Sequence, residues 1–142
     1  MAGDANRGRL IFSSDGARCR LCHHSTDADQ STGPTLAEIH RKYPRRNELL
    51  QQILHPSLKV DDKFAAWIAV TTSGQVHTGL LVSESDKEIV LKDAQRKLIR
   101  IARKDLDELA KSPRSLMPEG ILSDLTAQEA ADLLAWLTAF RP

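Results

Sequence analysis

Cys19-Arg20-Leu21-Cys22-His23 is the stretch from which the rest of the chain is read. Two thiols three positions apart, followed at once by an imidazole, form the C-x-x-C-H spacing of covalent c-type haem attachment. Each thiol can add to one of the two porphyrin vinyl groups, and a two-residue gap on a helical turn matches their separation. His23 then lies under the iron as the proximal ligand. Three other readings compete for the same residues. A thioredoxin-like redox pair needs a βαβ pattern beside its C-x-x-C, and the flanks here are short, polar and irregular. A structural zinc site wants four ligands; there is no second pair of cysteines, although His24, His40, His55 and His77 could in principle complete one. A chance match or a simple disulfide is the third.

Composition sets the frame. With 142 residues, 41% apolar and 27% charged, the sequence suits one globular domain of ordinary make-up, residues 1–142, with room for an insertion. The net charge of +1 gives no pull towards nucleic acid or a membrane surface. Both cysteines belong to the motif, so none is left for a structural disulfide. Haem attachment implies a periplasmic or otherwise extracytoplasmic location. Met1-Ala2-Gly3 leads straight into a polar segment, so the chain is expected to be a mature or excised piece, without a membrane span.

Upstream of the motif, Asp4 is expected to cap a helix carrying Leu10, Ile11 and Phe12 and ending near Ser13 to Gly16. Downstream, Gly33-Pro34-Thr35-Leu36 has the form of a turn that brings a backbone carbonyl to the Nδ1 proton of His23. The Pro34 carbonyl is the candidate, against the alternative of a plain turn. His24, on the next residue, points away from any iron that His23 binds. A short helix is expected from Leu36 to Tyr43, then a second capped by Asn47 and ended by Pro56. The basic cluster Arg41, Lys42, Arg45 and Arg46 between them reads first as a solvated face, and second as a contact for haem propionates or an acidic partner.

From Phe64 the hydrophobic period changes to that of strands. Trp67–Thr72, Val76–Val82, Glu88–Lys92 and Lys97–Ile101 are β-branched runs separated by Ser73-Gly74, Ser85-Asp86 and Asp93-Ala94-Gln95. They predict about four antiparallel strands, an inserted module over residues 64–103, with His77 on its polar face. Asp105 to Lys111 reads as a brief helical stretch. Met117 is the one methionine besides Met1, and it sits in the proline-bounded segment Pro113 to Pro118 rather than on a periodic apolar face. A lone methionine is usually core filler; in a loop so restrained it is the candidate sixth iron ligand. The last helix is marked by a Thr126/Glu129 capping box and the stripe Ala130, Leu133, Leu134, Leu137 and Phe140, with Trp136 at the edge of the stripe.

In this order the chain resembles the mono-haem c-type cytochrome family: Gly3-Asp4, Arg7-Gly8 and Phe12, then Cys19, Cys22 and His23, then Gly33-Pro34-Thr35-Leu36, then Met117-Pro118, then a final helix ending Leu-Thr-Ala-Phe. More narrowly it resembles the haem-binding domain at the C-terminus of large secreted multidomain proteins of planctomycetes and related bacteria. The matching stretches there are Ile53-Leu54-His55-Pro56-Ser57, Thr78-Gly79-Leu80-Leu81, Leu91-Lys92-Asp93-Ala94 and Ser115-Leu116-Met117-Pro118-Glu119-Gly120. The resemblance implies a mainly α cytochrome c fold with an inserted small antiparallel β module, α+β overall. It also implies a single covalent haem c whose iron is held by His23 and Met117, passing electrons to or from a neighbouring dehydrogenase domain or a redox partner protein. The function expected is electron transfer, not enzymatic turnover, since no distal acid or base is placed by spacing. Two alternatives are a haem-based gas or redox sensor with a labile Met117, and a peptide- or glycan-binding strand module with haem as structural cement.

Overall fold

The first and last helices of the chain are packed on each other, and the reason lies in their caps and their small residues. A computed structural model describes residues 1–24, 26, 27 and 31–142. Helix α1 (Ala5–Ser13) starts where the Asp4 carboxylate accepts the amides of Asn6 at 2.8 Å and Arg7 at 3.2 Å. The last helix spans Ala127–Ala139, and its capping box is complete: Thr126 Oγ1 accepts from Glu129 N at 3.2 Å, and Glu129 Oε2 accepts from Thr126 N at 2.7 Å. Each cap satisfies amide protons that the first helical turn leaves without partners.

Between them lie α2 (Ile39–Lys42) and α3 (Arg46–Leu54), so the last helix is α4. Asn47 does not cap α3. The extended residue after Pro44 is Arg45, at φ −103° and ψ 135°, and the helix begins directly after it, with Asn47 already inside. Phe12, Leu36, Leu49, Leu133, Leu134, Trp136 and Leu137 form the helical core. Trp136 belongs to it rather than to its edge. Its ring lies 4.6 Å from Phe12 and 5.1 Å from Phe140, centroid to centroid, in the range where tilted aromatic pairs attract.

The rest of the chain forms one antiparallel sheet of five strands: β1 (Ala66–Thr71), β2 (Val76–Glu84), β3 (Glu88–Lys92), β4 (Leu98–Ala102) and β5 (Leu106–Lys111), ordered β4-β3-β2-β1-β5. The register sets Ala69 opposite His77, Leu81 opposite Leu91, and Ile89 opposite Ile101. The sheet has a core of its own, in which Ala69, Ile89, Leu91 and Ile101 are buried and Trp67, Leu81, Ile99, Leu106 and Leu109 pack against them.

Two expectations are corrected here. The stretch 105–111 is not helical: a 3₁₀ turn at Arg103–Asp105 leads into β5, which pairs with β1 from Trp67–Lys111 to Thr71–Leu106. Its Leu106-x-x-Leu109 spacing suits a helix as well as a strand, and the unpaired edge of β1 decides the matter, because backbone groups there need partners. The mainly helical cytochrome c fold with a small strand insertion is also overturned. The sheet is a layer with its own buried core, and β1, far from being an appendage, is paired on both sides. The described residues form an α+β protein of four α-helices and a five-stranded antiparallel sheet. Among the described residues no helix is long and apolar enough to cross a membrane.

Candidate cofactor site around Cys19, Cys22 and His23

After α1 the chain reverses at Arg18, which takes the left-handed conformation at φ 54°, and winds into a 3₁₀ turn over Cys19–Leu21. The Cys19 carbonyl accepts two amides, Cys22 N at 3.3 Å and His23 N at 2.9 Å. This double closure holds the two thiols and the imidazole on one turn. The two sulfurs are not joined in a disulfide. Burial pushes the Cys19 thiol up; burial does the same to Cys22, against the opposing charge of Arg96. A thioredoxin-like pair relies on a lowered thiol pKa, and burial works in the other direction here.

The loop that follows folds back over the turn. Cys22 O accepts Thr32 N and Gly33 N, both at 2.9 Å. Gly33 is there because nothing larger fits: a Cβ would stand 2.7 Å from His23 Cε1 and 3.0 Å from Nδ1. One residue on, the Pro34 carbonyl accepts from His23 Nδ1 at 2.7 Å. A carbonyl cannot donate, so the proton is on Nδ1 and the neutral ring carries its lone pair on Nε2. Burial favours that neutral ring by lowering the His23 pKa, with the bond to Pro34 working the other way.

Cys19, Cys22, His23 and Pro34 are thus gathered in one unit. His24 is exposed and turned to its own loop, where Nδ1 accepts the Asp27 amide at 2.9 Å. Residues 25 and 28–30 of the expected loop lie outside the described residues. Among the described residues no three His, Cys, Asp or Glu side chains are grouped to hold a metal ion. Among those residues the four-ligand zinc reading therefore lacks its ligands.

Met117 is held separately, on the loop between β5 and α4. Ser115 Oγ accepts Met117 N at 3.1 Å, and Ser57 Oγ accepts Ser115 N at 3.0 Å, tying this loop to the segment after α3. Met117 is half-buried and lines a cavity of about 210 Å³ with Ser57, Arg114, Ser115, Pro118 and Glu119. A larger cavity of about 320 Å³ lies on the sheet, where His77, Arg100 and Asp105 are among its walls, and includes none of the expected ligands. His77, read as a surface residue, is half-buried at its rim.

Two polar atoms stand out that the sequence offers only as a loop threonine and as a possible zinc ligand. Thr32 Oγ1, on a residue 2% exposed, and His40 Nδ1 on α2 are buried with no hydrogen-bond partner among the described residues. Such orphans are costly unless another polar group meets them. The donor set, the glycine cradle and the orphaned Thr32 hydroxyl beside it fit a covalently held haem. In the basic cluster, Arg41 pairs with Glu38 at 2.9 Å, Lys42 with Asp61 at 2.9 Å and Arg45 with Glu48 at 3.8 Å. Much of its charge is compensated locally, which favours the solvated-face reading.

No protein-family model matches the chain, and no curated protein matches it at a significant level.

Proposed function

We propose that the chain carries one haem c on Cys19 and Cys22, ligated by His23 Nε2 and Met117 Sδ, and that it transfers single electrons without catalysing a reaction. The observation that carries this reading is the Pro34–His23 bond at 2.7 Å, which leaves Nε2 as the free lone pair on an imidazole that burial keeps neutral. A haem bound here would supply the one-electron iron couple. The chain's part is to hold the thiols on one turn, orient the imidazole, strengthen it as a donor through Pro34, and offer a thioether from a proline-bounded loop. Thr32 Oγ1, next to Gly33, is the group offered to a polar atom of the cofactor. Held by His23 and Met117, the group would suit outer-sphere electron transfer to a neighbouring dehydrogenase domain or a redox partner protein. Thioether formation also supports an extracytoplasmic site of action.

Absorption spectra test the proposal. The reduced protein, produced with haem maturation, should be low-spin and unreactive to carbon monoxide near pH 7. Met117→Ala should become high-spin and bind carbon monoxide readily, and Cys19→Ala with Cys22→Ala should carry no haem after acid extraction. A wild-type ferrous protein that is high-spin and binds carbon monoxide would sink the carrier reading in favour of a sensor with a labile Met117.

A further inference from the structure

Lys92 carries a cation from the sheet to the proximal loop. Lys92 ends β3, and its backbone is paired on both sides, opposite Leu80 of β2 and Leu98 of β4. That is the most constrained setting the sheet offers. From it the Lys92 ammonium donates to the Ser31 carbonyl at 2.8 Å, joining residues 61 positions apart.

Ser31 is buried, and it opens the segment that closes over Cys22 and His23. Ser31 Oγ accepts His24 N at 2.7 Å, Thr32 N and Gly33 N close on the Cys22 carbonyl, Gly33 abuts the His23 ring, and Pro34 O takes the Nδ1 proton. The turn after β3 approaches the motif as well, since the Arg96 charge acts on the Cys22 thiol. α1 meets the motif from the other side; the segment 31–34 is anchored to the sheet at Lys92.

We propose that Lys92 is a positioning residue for His23: by pinning the Ser31 carbonyl it fixes segment 31–34, and through Pro34 it sets the strength of the Nδ1 hydrogen bond and so the donor strength of Nε2. The sheet is then a brace for the proximal ligand. The consequence for the iron rests on the haem reading above; the brace itself does not. A cation-to-carbonyl bond that is partly shielded from water is strong enough for this role, because a charged donor makes a shorter and firmer bond than a neutral one. Arginine can keep both charge and bond, whereas methionine keeps only the shape of the stem.

The test is hydrogen exchange by NMR on the full chain, in the reduced and diamagnetic state, comparing Lys92→Met and Lys92→Arg with wild type. In Lys92→Met the amides of Thr32 and Gly33 and the Nδ1 proton of His23 should exchange about tenfold faster or more, while Ile89 and Leu91 of the sheet core stay unchanged. Lys92→Arg should restore most of the protection. Unchanged rates at Thr32 and Gly33 in Lys92→Met would overturn the brace. So would equal acceleration at Ile89 and Leu91, which marks ordinary loss of stability. Failure of the haem reading shows differently: a wild-type protein without covalent haem loses the iron consequence, yet the Thr32 and Gly33 rates still decide whether Lys92 positions the loop.

Discussion

Gly33 abuts the His23 imidazole so closely that any side chain at position 33 would displace one or the other, with a Cβ 2.7 Å from Cε1. The ring cannot retreat without lengthening its 2.7 Å hydrogen bond to Pro34 O, and the loop cannot lift without breaking the hydrogen bonds that Thr32 N and Gly33 N donate to Cys22 O. Gly33→Ala is therefore expected to cost about 1–3 kcal/mol, the usual range for overpacking, and to lower the yield of haem-loaded protein. The ratio of Soret to protein absorbance, with a denaturant midpoint, measures both. Wild-type values for both would mean that the loop yields freely.

Asp132 gives the fold an acid-sensitive lock between its two ends. Its carboxylate, on a residue 2% exposed, accepts Arg7 Nε at 2.8 Å, Asp4 N at 2.7 Å and Gln128 Nε2 at 2.9 Å. The Arg7 bond first, and then the Asp4 amide, hold its pKa well below the ordinary 3.8, against the opposing effect of burial. A carboxylate depressed in the folded state stabilises fully above its unfolded pKa, and that stabilisation drains away as pH falls below it. Asp132→Asn should be less stable than wild type at pH 7, with the gap narrowing from about pH 5 to pH 2. Urea midpoints across that range settle it; a gap independent of pH would show that shape, not charge, is what Asp132 contributes.

What was legible in the sequence was local. The C-x-x-C-H turn, the Asp4 cap and the Thr126/Glu129 box are each written within a few residues, because a covalent spacing or a first-turn amide dictates them. The Pro34–His23 contact, 11 positions apart, was still within reach through the Gly-Pro turn. What failed was long-range. β5 was hidden because its partner β1 lies about 40 positions away and Leu106 and Leu109 also fit a helix. Asp132 was hidden within an apolar stripe, its partner Arg7 being 125 positions off, and Lys92–Ser31 and Ser57–Ser115 are of the same kind. On the stripe alone Trp136 falls at an edge, because the stripe does not show the partner helix. Gly8 leaves the space in which Trp136 meets Phe12, and that space exists only once α1 and α4 have met.

The two cores should respond separately to truncation. Leu133, 1% exposed, belongs to the helical cluster and Leu91, 0% exposed, to the sheet cluster. Each change to alanine removes three buried carbons, and each is expected to cost about 2–5 kcal/mol. With no shared partners in the two clusters, the double variant should lose the sum of the single costs to within about 0.5 kcal/mol. Chemical denaturation of the three variants measures this, and a clear shortfall from additivity would mean that helices and sheet share strain.

Gly8→Ala sets two effects of opposite sign against each other. In the interior of α1, alanine is favoured over glycine by about 1 kcal/mol through backbone entropy alone. Yet Gly8 is buried where α1 crosses α4, and a Cβ there would overlap the Asp132 carbonyl and stand 2.8 Å from Trp136 Cβ. A carbonyl inside a helix cannot step aside as a side-chain tip would, so the helices must separate. Separation would pull Arg7 from Asp132 and Phe12 from Trp136 together. Overpacking against backbone lies at or beyond the upper end of the usual 1–3 kcal/mol, so the net effect should be a loss of about 2 kcal/mol or more despite the better helix former. A lowered denaturant midpoint with weakened near-ultraviolet circular dichroism from Trp136 is the expected result. A midpoint at or above wild type would show that α1 and α4 are not in this close contact in solution.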